Sequence, residues 1–497
     1  MLTTTRITRL GGDGFALGLL TVSLSLALLL ADTYLIVANP ALGLGLRLIV
    51  FLILGIARFE YAAVALMCTL VFQNTAIAIV APEPGGPFNI LRGAPFLDTC
   101  VLFAVSVVLG YRERIFANPE IRGLIKLSAA TLAALAVFFV IGAASNPTSA
   151  LTYLRGALSC VLFLCIGFAA TTRPKVVFCG AIALLSLMVI FAIVEFFAGY
   201  WLYESLHLVH YMGLKGSGQK FDFTSTAGMI EALSVKFLNA KMFADLDFEY
   251  VRLMGPNLHT ISFSYALGVL ALVALQCRWR ALALLAIVAM VIAGSKGAIV
   301  TVLFAIAAPF ALGPFRKNAT LAITAAAGVL GVYVVGWTIY GLAAGDYHVI
   351  GLMGGVKGFL SNPIGHGLGA GGNLGGEREA DIVNKWQTFQ RYGADYGLES
   401  AVGVMLYQIG LATILPLALC AKLGARLVRL GNIRLGFALL ATAANAFFQE
   451  EALFAPLSIG LLALFAGMEI AASSSSPQSR SVPSRRRQTH NSLGVQT

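Results

Sequence analysis

Charged residues are scarce in this chain of 497 residues, where Asp, Glu, Lys and Arg together make up only 11%. A soluble domain carries about 25% charged residues, so this chain has too little polar surface to face water over most of its area. Hydrophobic residues make up 58%, and apolar runs long enough to cross about 30 Å of hydrocarbon recur from end to end. The composition excludes a soluble globular protein and predicts a polytopic helical membrane protein.

Cysteine is also infrequent, with seven residues that lie within or at the ends of apolar segments. None of them is spaced from His or another Cys as the ligands of a metal site are, and the predicted loops contain no cysteine pair. The cysteines are therefore predicted to be small packing residues. We expect no disulfide, no zinc site and no cofactor.

The apolar runs predict an all-α integral membrane protein with about fourteen spans, in a range of about 12 to 14. The first run is too long for the hydrophobic region of a signal peptide, so it is expected to remain as the first helix. The predicted spans are residues 15–37, 41–57, 61–80, 96–110, 123–144, 151–170, 176–198, 258–276, 281–294, 297–312, 319–342, 401–420, 435–448 and 453–470.

Lys and Arg concentrate in every second loop, which orients the chain because short cytoplasmic loops carry the basic excess. This pattern places both termini in the cytoplasm and accounts for the net charge of +11 without a nucleic-acid partner. Residues 471–497 form a Ser-, Pro- and Arg-rich tail that is expected to be disordered and to contact anionic membrane lipids.

Two long segments, residues 199–257 and 343–400, are predicted to be large loops on the outer, periplasmic side. They separate membrane helices 1–7 (residues 1–198), 8–11 (258–342) and 12–14 (401–470). Long loops in compact proteins are usually functional or disordered, and the aromatic residues here favour function. The first loop is predicted to include an amphipathic interfacial helix with an apolar face of Met229, Leu233, Phe237 and Leu238.

Several ionisable residues fall at the predicted outer ends of spans, namely Arg47, Arg155, Glu195 and Lys296. An ionisable group in the membrane is costly unless it faces a cavity or a partner, although long basic side chains also reach the headgroups by snorkelling. Together with Arg92 and Arg252, the basic members predict an outward-facing pocket. Arginine's planar fork suits the oxygens of a pyrophosphate.

The stretch "YVRLMGPNLHTISFSYALG", residues 250–268, predicts the junction between the first large loop and the eighth span. Gly255 and Pro256 are expected to make a turn, and Asn257 is expected to cap the following helix. His259 is placed one turn inside that helix, where packing or hydrogen bonding is expected rather than chemistry.

Three segments together resemble the O-antigen ligase and O-antigen polymerase family of bacterial membrane proteins. "RLMGPNLHTISFSYALG" is similar to the Arg-x-x-Gly…Asn segment of that family, and "AGSKGAIVT" is similar to its Ser-Arg-Gly-Ala element, with Lys296 in place of arginine. "SNPIGHGLGAGG" followed by "YGLESAVGVMLYQIGLATIL" is similar to its large outer loop and next helix. The resemblance covers about Arg252 to Leu415 and implies a GT-C-like membrane fold.

The resemblance implies metal-free, inverting glycosyl transfer from undecaprenyl-diphosphate-linked glycans at the outer face of the bacterial inner membrane. Arg252 and Lys296 would bind pyrophosphate, with Arg155 and Arg47 in the same pocket. The partners implied are lipid-linked donor and acceptor glycans, and possible protein partners are a flippase and a chain-length regulator.

The resemblance also implies a general base in the second large loop. The ligase pattern has a histidine at the end of that loop, whereas this chain reads "RYGADYGLESAV". Asp395 and Glu399 are the available groups, on one face if the helix has begun, with His366 and His348 as alternatives.

The sequence thus favours an exopolysaccharide or O-antigen polymerase. A ligase that transfers glycan to an acceptor such as lipid A core stays open because histidines lie in the outer loops. A polysaccharide transporter or lipid flippase is the other alternative. It predicts polar residues through the whole membrane depth, and the chain shows no internal repeat of the kind found in many transporters.

Overall fold

The structure is a computed structural model that describes residues 12–83, 85–215, 225–236, 249–311, 318–372 and 399–474. Its α-helices, numbered in chain order, are α1 (Gly12–Ala38), α2 (Pro40–Ala57), α3 (Phe59–Val80), α4 (Gly86–Arg112), α5 (Pro119–Ala143), α6 (Pro147–Ala169), α7 (Pro174–Ser205), α8 (Leu208–Leu214), α9 (Thr226–Leu233), α10 (Thr260–Gln276), α11 (Arg280–Ala293), α12 (Lys296–Ala311), α13 (Ala319–Ala344), α14 (Tyr347–Ser361), α15 (Ala401–Ile409), α16 (Ile414–Arg429), α17 (Ile433–Asn445), α18 (Glu451–Phe454) and α19 (Leu461–Ser474).

The described residues contain ten helices that are long and apolar enough to cross a membrane. Four shorter apolar helices, α10, α11, α12 and α17, overlap four of the remaining predicted spans. The prediction of an all-α, multi-pass membrane protein is therefore confirmed. A small antiparallel sheet accompanies the helices, in which β1 (Ser234–Lys236) pairs with β2 (Glu249–Val251).

Asparagine–proline pairs begin several of these helices. Asn39, Asn118 and Asn146 each accept a backbone N–H of the following first turn through their side chains, and a proline occupies the next position in each case. The asparagine satisfies a donor that the helix leaves free, and proline's fixed φ suits the first helical position. The Asn-Pro pairs thus mark the starts of α2, α5 and α6 directly in the sequence.

The innermost membrane helices are α3, α6, α7 and the last membrane segment, Pro456–Ser474. In each of them, about two thirds or more of the most apolar stretch is buried inside the protein. By contrast, only 17% of the most apolar stretch of α13 is buried, so this helix lies at the periphery. The largest apolar cluster joins α3, α6, α7, α10 and α19. This central group is the scaffold from which the loops of the site project.

One expectation for the first large loop is wrong. The predicted end of the seventh span coincides with a kink at the non-helical Ala198, after which α7 continues to Ser205. The predicted amphipathic helix ends at Leu233, where the chain turns into β1. Strand pairing with β2 satisfies the backbone there, and Phe237 and Leu238 lie outside the described residues.

A glycine-rich segment packs against a break between α15 and α16. The break is a 3-10 turn, Gly410–Thr413, and the backbone N–H groups of His366 and Gly367 donate to the carbonyls of Tyr407 and Gln408. In return, Leu411 N–H donates to the carbonyl of Pro363. Irregular backbone at membrane depth requires such internal partners.

Candidate functional site

Arg252 lies directly after β2 and is fixed by its own backbone and by a neighbouring helix. Its N–H donates to the carbonyl of Leu233 at 3.1 Å, and its Nε donates to the carbonyl of Ala293, the last residue of α11, at 3.1 Å. The side chain is half-buried, and burial lowers its pKa. Among the described residues this is the hydrogen bond that the guanidinium makes, so its two terminal nitrogens are available to a ligand there.

A buried carboxylate holds the turn that follows Arg252. Glu195 on α7 accepts the N–H of Met254 at 2.7 Å and the N–H of Gly255 at 2.9 Å, and it also accepts the hydroxyl of Tyr203 at 2.7 Å. Gly255 has φ of +63°, a left-handed conformation that glycine adopts without strain. The predicted Gly-Pro turn is confirmed, and Glu195 is the residue that fixes it.

Polar residues near the end of α3 complete the support of this turn. Asn74 Nδ2 donates to the carbonyl of Asn257 at 2.6 Å, and the Thr75 hydroxyl donates to the carbonyl of Pro256. The next helix, α10, is not capped by Asn257 as predicted. His259 is its N-cap, with Nδ1 accepting the N–H of Ser262 at 3.3 Å.

The predicted spans 281–294 and 297–312 are separated by a short break, which the structure confirms between α11 and α12, beside Arg252. Gly294 ends α11 with φ of +74°, and a Cβ there would lie 3.3 Å from Arg252 Nε and 3.1 Å from the Tyr250 hydroxyl. The left-handed φ and this close approach both favour glycine. Lys296 then begins α12 with an exposed side chain, and Arg252 and Asp346 are its charged neighbours.

The structure describes three of the four predicted general bases, namely Glu399, His348 and His366. Asp395 lies outside the described residues. Glu399 lies just before α15, which begins at Ala401, so the helix has not begun at Glu399 as the sequence suggested. Glu399 Oε2 lies 3.4 Å from His348 Nδ1, and both side chains are partly exposed. Burial lowers the pKa of His348 to about 4, so this histidine is neutral near pH 7.

His366 occupies a different environment from the other predicted bases. Its ring stacks on Tyr407 with 4.2 Å between centroids, and its Nδ1 lies 2.9 Å from the Tyr407 carbonyl. A backbone carbonyl accepts only a donor, so Nδ1 carries the proton in this contact. The structure thus makes His366 part of the packing of the glycine-rich segment against α15.

Two carboxylates that the sequence did not reveal lie near Arg252, Glu450 just before α18 and Glu451 as the first residue of α18. Glu450 is buried and accepts the hydroxyl of Tyr153 at 2.7 Å. Glu451 and Arg252 influence each other electrostatically, and burial raises the pKa of Glu451. The signal in the sequence was the polar run Gln449–Glu451 at the junction of two predicted spans.

The segment that carries these carboxylates touches the segments that carry Lys296 and Glu399. Gly297 packs against the side chain of Gln449, so the start of α12 touches the residue before Glu450. The carbonyl of Ala446 accepts the N–H of Val402 at 2.9 Å, which ties the segment after Glu399 to the end of α17. The site therefore groups two cations, Arg252 and Lys296, with the carboxylates of Glu399, Glu450 and Glu451, and Asp346 also lies near Lys296.

Arg155 and Arg47 are placed apart from this group. Arg155 Nη1 donates to the backbone carbonyl of Arg92 at 3.3 Å. Arg47 is 1% exposed and pairs with buried Asp98 of α4, through Nε at 3.0 Å and Nη2 at 2.6 Å to the same oxygen. The structure thus gives Arg47 a protein partner, and we leave it out of the site.

The fold defines a multi-pass, all-α membrane protein whose extramembrane ends bring cations and carboxylates together. No protein-family model matches the chain, and no curated protein matches it. Within the described ranges, no group of three or more His, Cys, Asp or Glu side chains is placed to hold a metal ion.

Proposed function

We propose that the protein is a glycosyltransferase that polymerises lipid-diphosphate-linked oligosaccharide units at the outer face of the bacterial inner membrane. The observation that carries the proposal is the grouping of Arg252 and Lys296 with Glu399 at the ends of helices from distant parts of the chain. The family resemblance of residues 252–415 supplies the substrate class. The proposed membrane orientation rests on the distribution of Lys and Arg.

The cations act on the leaving group. A diphosphate gains negative charge as the bond to the anomeric carbon breaks, and preformed positive groups stabilise that charge most in a site that excludes water. Arg252 offers two terminal nitrogens in a fixed plane because Ala293 holds its Nε. The ammonium group of Lys296 is a compact charge that lacks the paired N–H donors of a guanidinium. It therefore neutralises the diphosphate without orienting it.

A carboxylate acts on the acceptor. The acceptor hydroxyl oxygen forms a bond to the anomeric carbon, the lipid diphosphate leaves with the electron pair, and the hydroxyl proton passes to the carboxylate. We assign this role to Glu399, which is partly exposed and lies beside His348. Glu451 is less suited because it lies near Arg252, where a negative charge opposes the diphosphate.

One observation favours the ligase as a second candidate. His348 lies 3.4 Å from Glu399, and a neutral imidazole next to a carboxylate is a common arrangement for a general base. A ligase would use His348 to take the proton and Glu399 to orient the ring. The two activities differ in their product, since a ligase leaves polymer length unchanged.

The test is the chain length of surface or secreted polysaccharide in a strain that lacks the gene, complemented with the wild type or with Arg252→Ala. The proposal expects single repeat units in the deletion strain and with the variant, and polymer with the wild type. Full-length polymer stranded on its lipid carrier would favour the ligase. Unaltered polysaccharide would exclude both activities.

A further inference from the structure

A second group of cations lies near Arg252 but does not include it. Arg92 is in the second turn of α4, Arg155 is on α6, and Lys215 follows the last residue of α8. Arg155 Nη1 donates to the carbonyl of Arg92. The backbone N–H of Lys215 donates to the carbonyl of Tyr211, whose ring contacts the Phe88 ring that lies under Arg92. Burial and the charge of Arg92 also lower the pKa of Lys215 to about 8. Three helices thus bring three cations together.

One apolar cluster supports both groups of cations. Arg92 lies over the ring of Phe88 at 5.5 Å from its centroid, and Phe88 meets Tyr211 of α8 edge to face at 6.2 Å. The same cluster includes Met254, two residues after Arg252. The cluster therefore fixes the position of Arg92 relative to the turn that carries Arg252.

The second group has no compensating acid among the described residues, where no carboxylate forms an ion pair with Arg92, Arg155 or Lys215. Like charges held together in a partly buried place repel each other more strongly than in water. A bound anion would offset this repulsion between the three cations. Arginine and lysine side chains converging on one spot are typical of phosphate sites.

His259 is close to one member of each group, Lys215 and Arg252. Its Nδ1 accepts the N–H of Ser262, so its proton is on Nε2. Burial together with the charges of Lys215 and Arg252 lowers its pKa to about 3. A neutral histidine thus lies within electrostatic reach of Lys215 in the second group and of Arg252 in the first.

We propose that Arg92, Arg155 and Lys215 form a second anion site, which binds the phosphate or diphosphate of a membrane-anchored lipid alongside the site of Arg252 and Lys296. The proposal rests on the proposed function for its lipid. If the second lipid is an isoprenoid diphosphate, both substrates carry that group, as in polymerisation. A ligase whose acceptor lacks the group has no use for a second diphosphate site.

The experiment counts lipids bound to the full-length protein by native mass spectrometry. Phosphatidylcholine nanodiscs carry either undecaprenyl diphosphate or phosphatidylglycerol as the probe. The wild type is expected to bind two diphosphates, and Arg252→Ala and the double variant Arg92→Gln/Lys215→Gln one each. Each lost charge-assisted hydrogen bond weakens binding about tenfold. Arg112→Gln, at the other end of α4, is the matched control and is expected to bind two.

The outcomes separate the two proposals. One diphosphate that is lost in Arg252→Ala and kept in the double variant would overturn the second site and leave the proposed function standing. No diphosphate bound to the wild type would overturn both. Phosphatidylglycerol that competes equally for the second site would support the anion site and assign it to a phospholipid headgroup.

Discussion

Glu195 accepts the backbone N–H of Met254 at 2.7 Å, which ties the end of α7 to the loop that carries Arg252. The partners are 59 residues apart in sequence, and the carboxylate is buried. A buried carboxylate is stable only with donors around it, and here it has two backbone N–H groups and a tyrosine hydroxyl. Glu195 is thus a positioning residue for Arg252.

Glu195→Gln is expected to reduce transfer about tenfold, since the amide replaces one acceptor oxygen with a donor that faces a backbone N–H. The rate of polymer formation by the purified protein measures the effect, and thermal unfolding checks that the variant folds. Glu204→Gln, exposed on the same helix, is the control and is expected to match the wild type. A folded Glu195→Gln protein with a wild-type rate would contradict the positioning role.

Arg252→Lys is expected to reduce transfer by about 10- to 100-fold, although the charge is kept. Arginine holds the Ala293 carbonyl through Nε and still offers two nitrogens to a ligand, whereas one lysine amine cannot do both. Arg280→Lys at the opposite end of α11 is the matched control. Equal rates for Arg252→Lys and the wild type would show that charge alone suffices at this position.

The junction at Arg252 and the break at Gly294 could be predicted because glycine, proline and a change in hydropathy are local signals. The pair formed by Arg47 and Asp98 could not, since its members are 51 residues apart. The sequence gives the position of Arg47 along α2, but it does not show which neighbouring helix the side chain faces. A pocket for Arg47 was therefore predicted where the structure has an ion pair.

The N-cap of α10 and the two carboxylates before and in α18 also differ from the sequence-based prediction, for local reasons. Asn257 was expected as the cap because asparagine is among the preferred capping residues, yet His259 can also cap through an unprotonated Nδ1. Glu450 and Glu451 lie in a short interruption between apolar runs, and hydropathy gives no sign that they fold back toward Tyr153 and Arg252. The contacts that assemble the site are long-range, and one sequence does not specify them.

Glu399→Gln is expected to reduce the transfer rate by about 100-fold or more, because the variant cannot accept the hydroxyl proton. Glu451→Gln is the matched comparison and is expected to have a smaller effect. Rates measured at saturating donor separate the chemical step from binding. A larger loss in Glu451→Gln would move the base to that residue, and a larger loss in His348→Gln than in Glu399→Gln would favour the arrangement in which His348 is the base.

Arg47→Leu is expected to destabilise the protein by about 3–5 kcal/mol, because it leaves Asp98 buried without its partner. The double variant Arg47→Leu/Asp98→Leu removes both charges and is expected to recover most of the lost stability. Thermal unfolding in detergent and the amount of protein in the membrane measure the change. A stable double variant that polymerises normally would place Arg47 outside the reaction, whereas a stable but inactive one would return it to the site.

Lys215→Met is expected to raise the melting temperature at pH 7 by roughly 2 °C or more, because burial and the charge of Arg92 both disfavour the charged amine of the wild type. The folded pKa is about 8, below the ordinary value of 10.5. Below pH 8 the lysine is charged in both states and its full penalty applies. Between pH 8 and 10.5 the unfolded state binds more protons, so the wild type gains stability as pH rises.

The difference between Lys215→Met and the wild type should therefore be constant below pH 8 and shrink toward zero by pH 10.5. Lys126→Met, on α5 away from the cation group, is the control. Its difference in melting temperature from the wild type should not decrease with pH in this way. Because an anion in the second site would neutralise the same repulsion, undecaprenyl diphosphate should raise the melting temperature of the wild type more than that of Lys215→Met. Equal rises would mean that the lysine does not face the bound lipid.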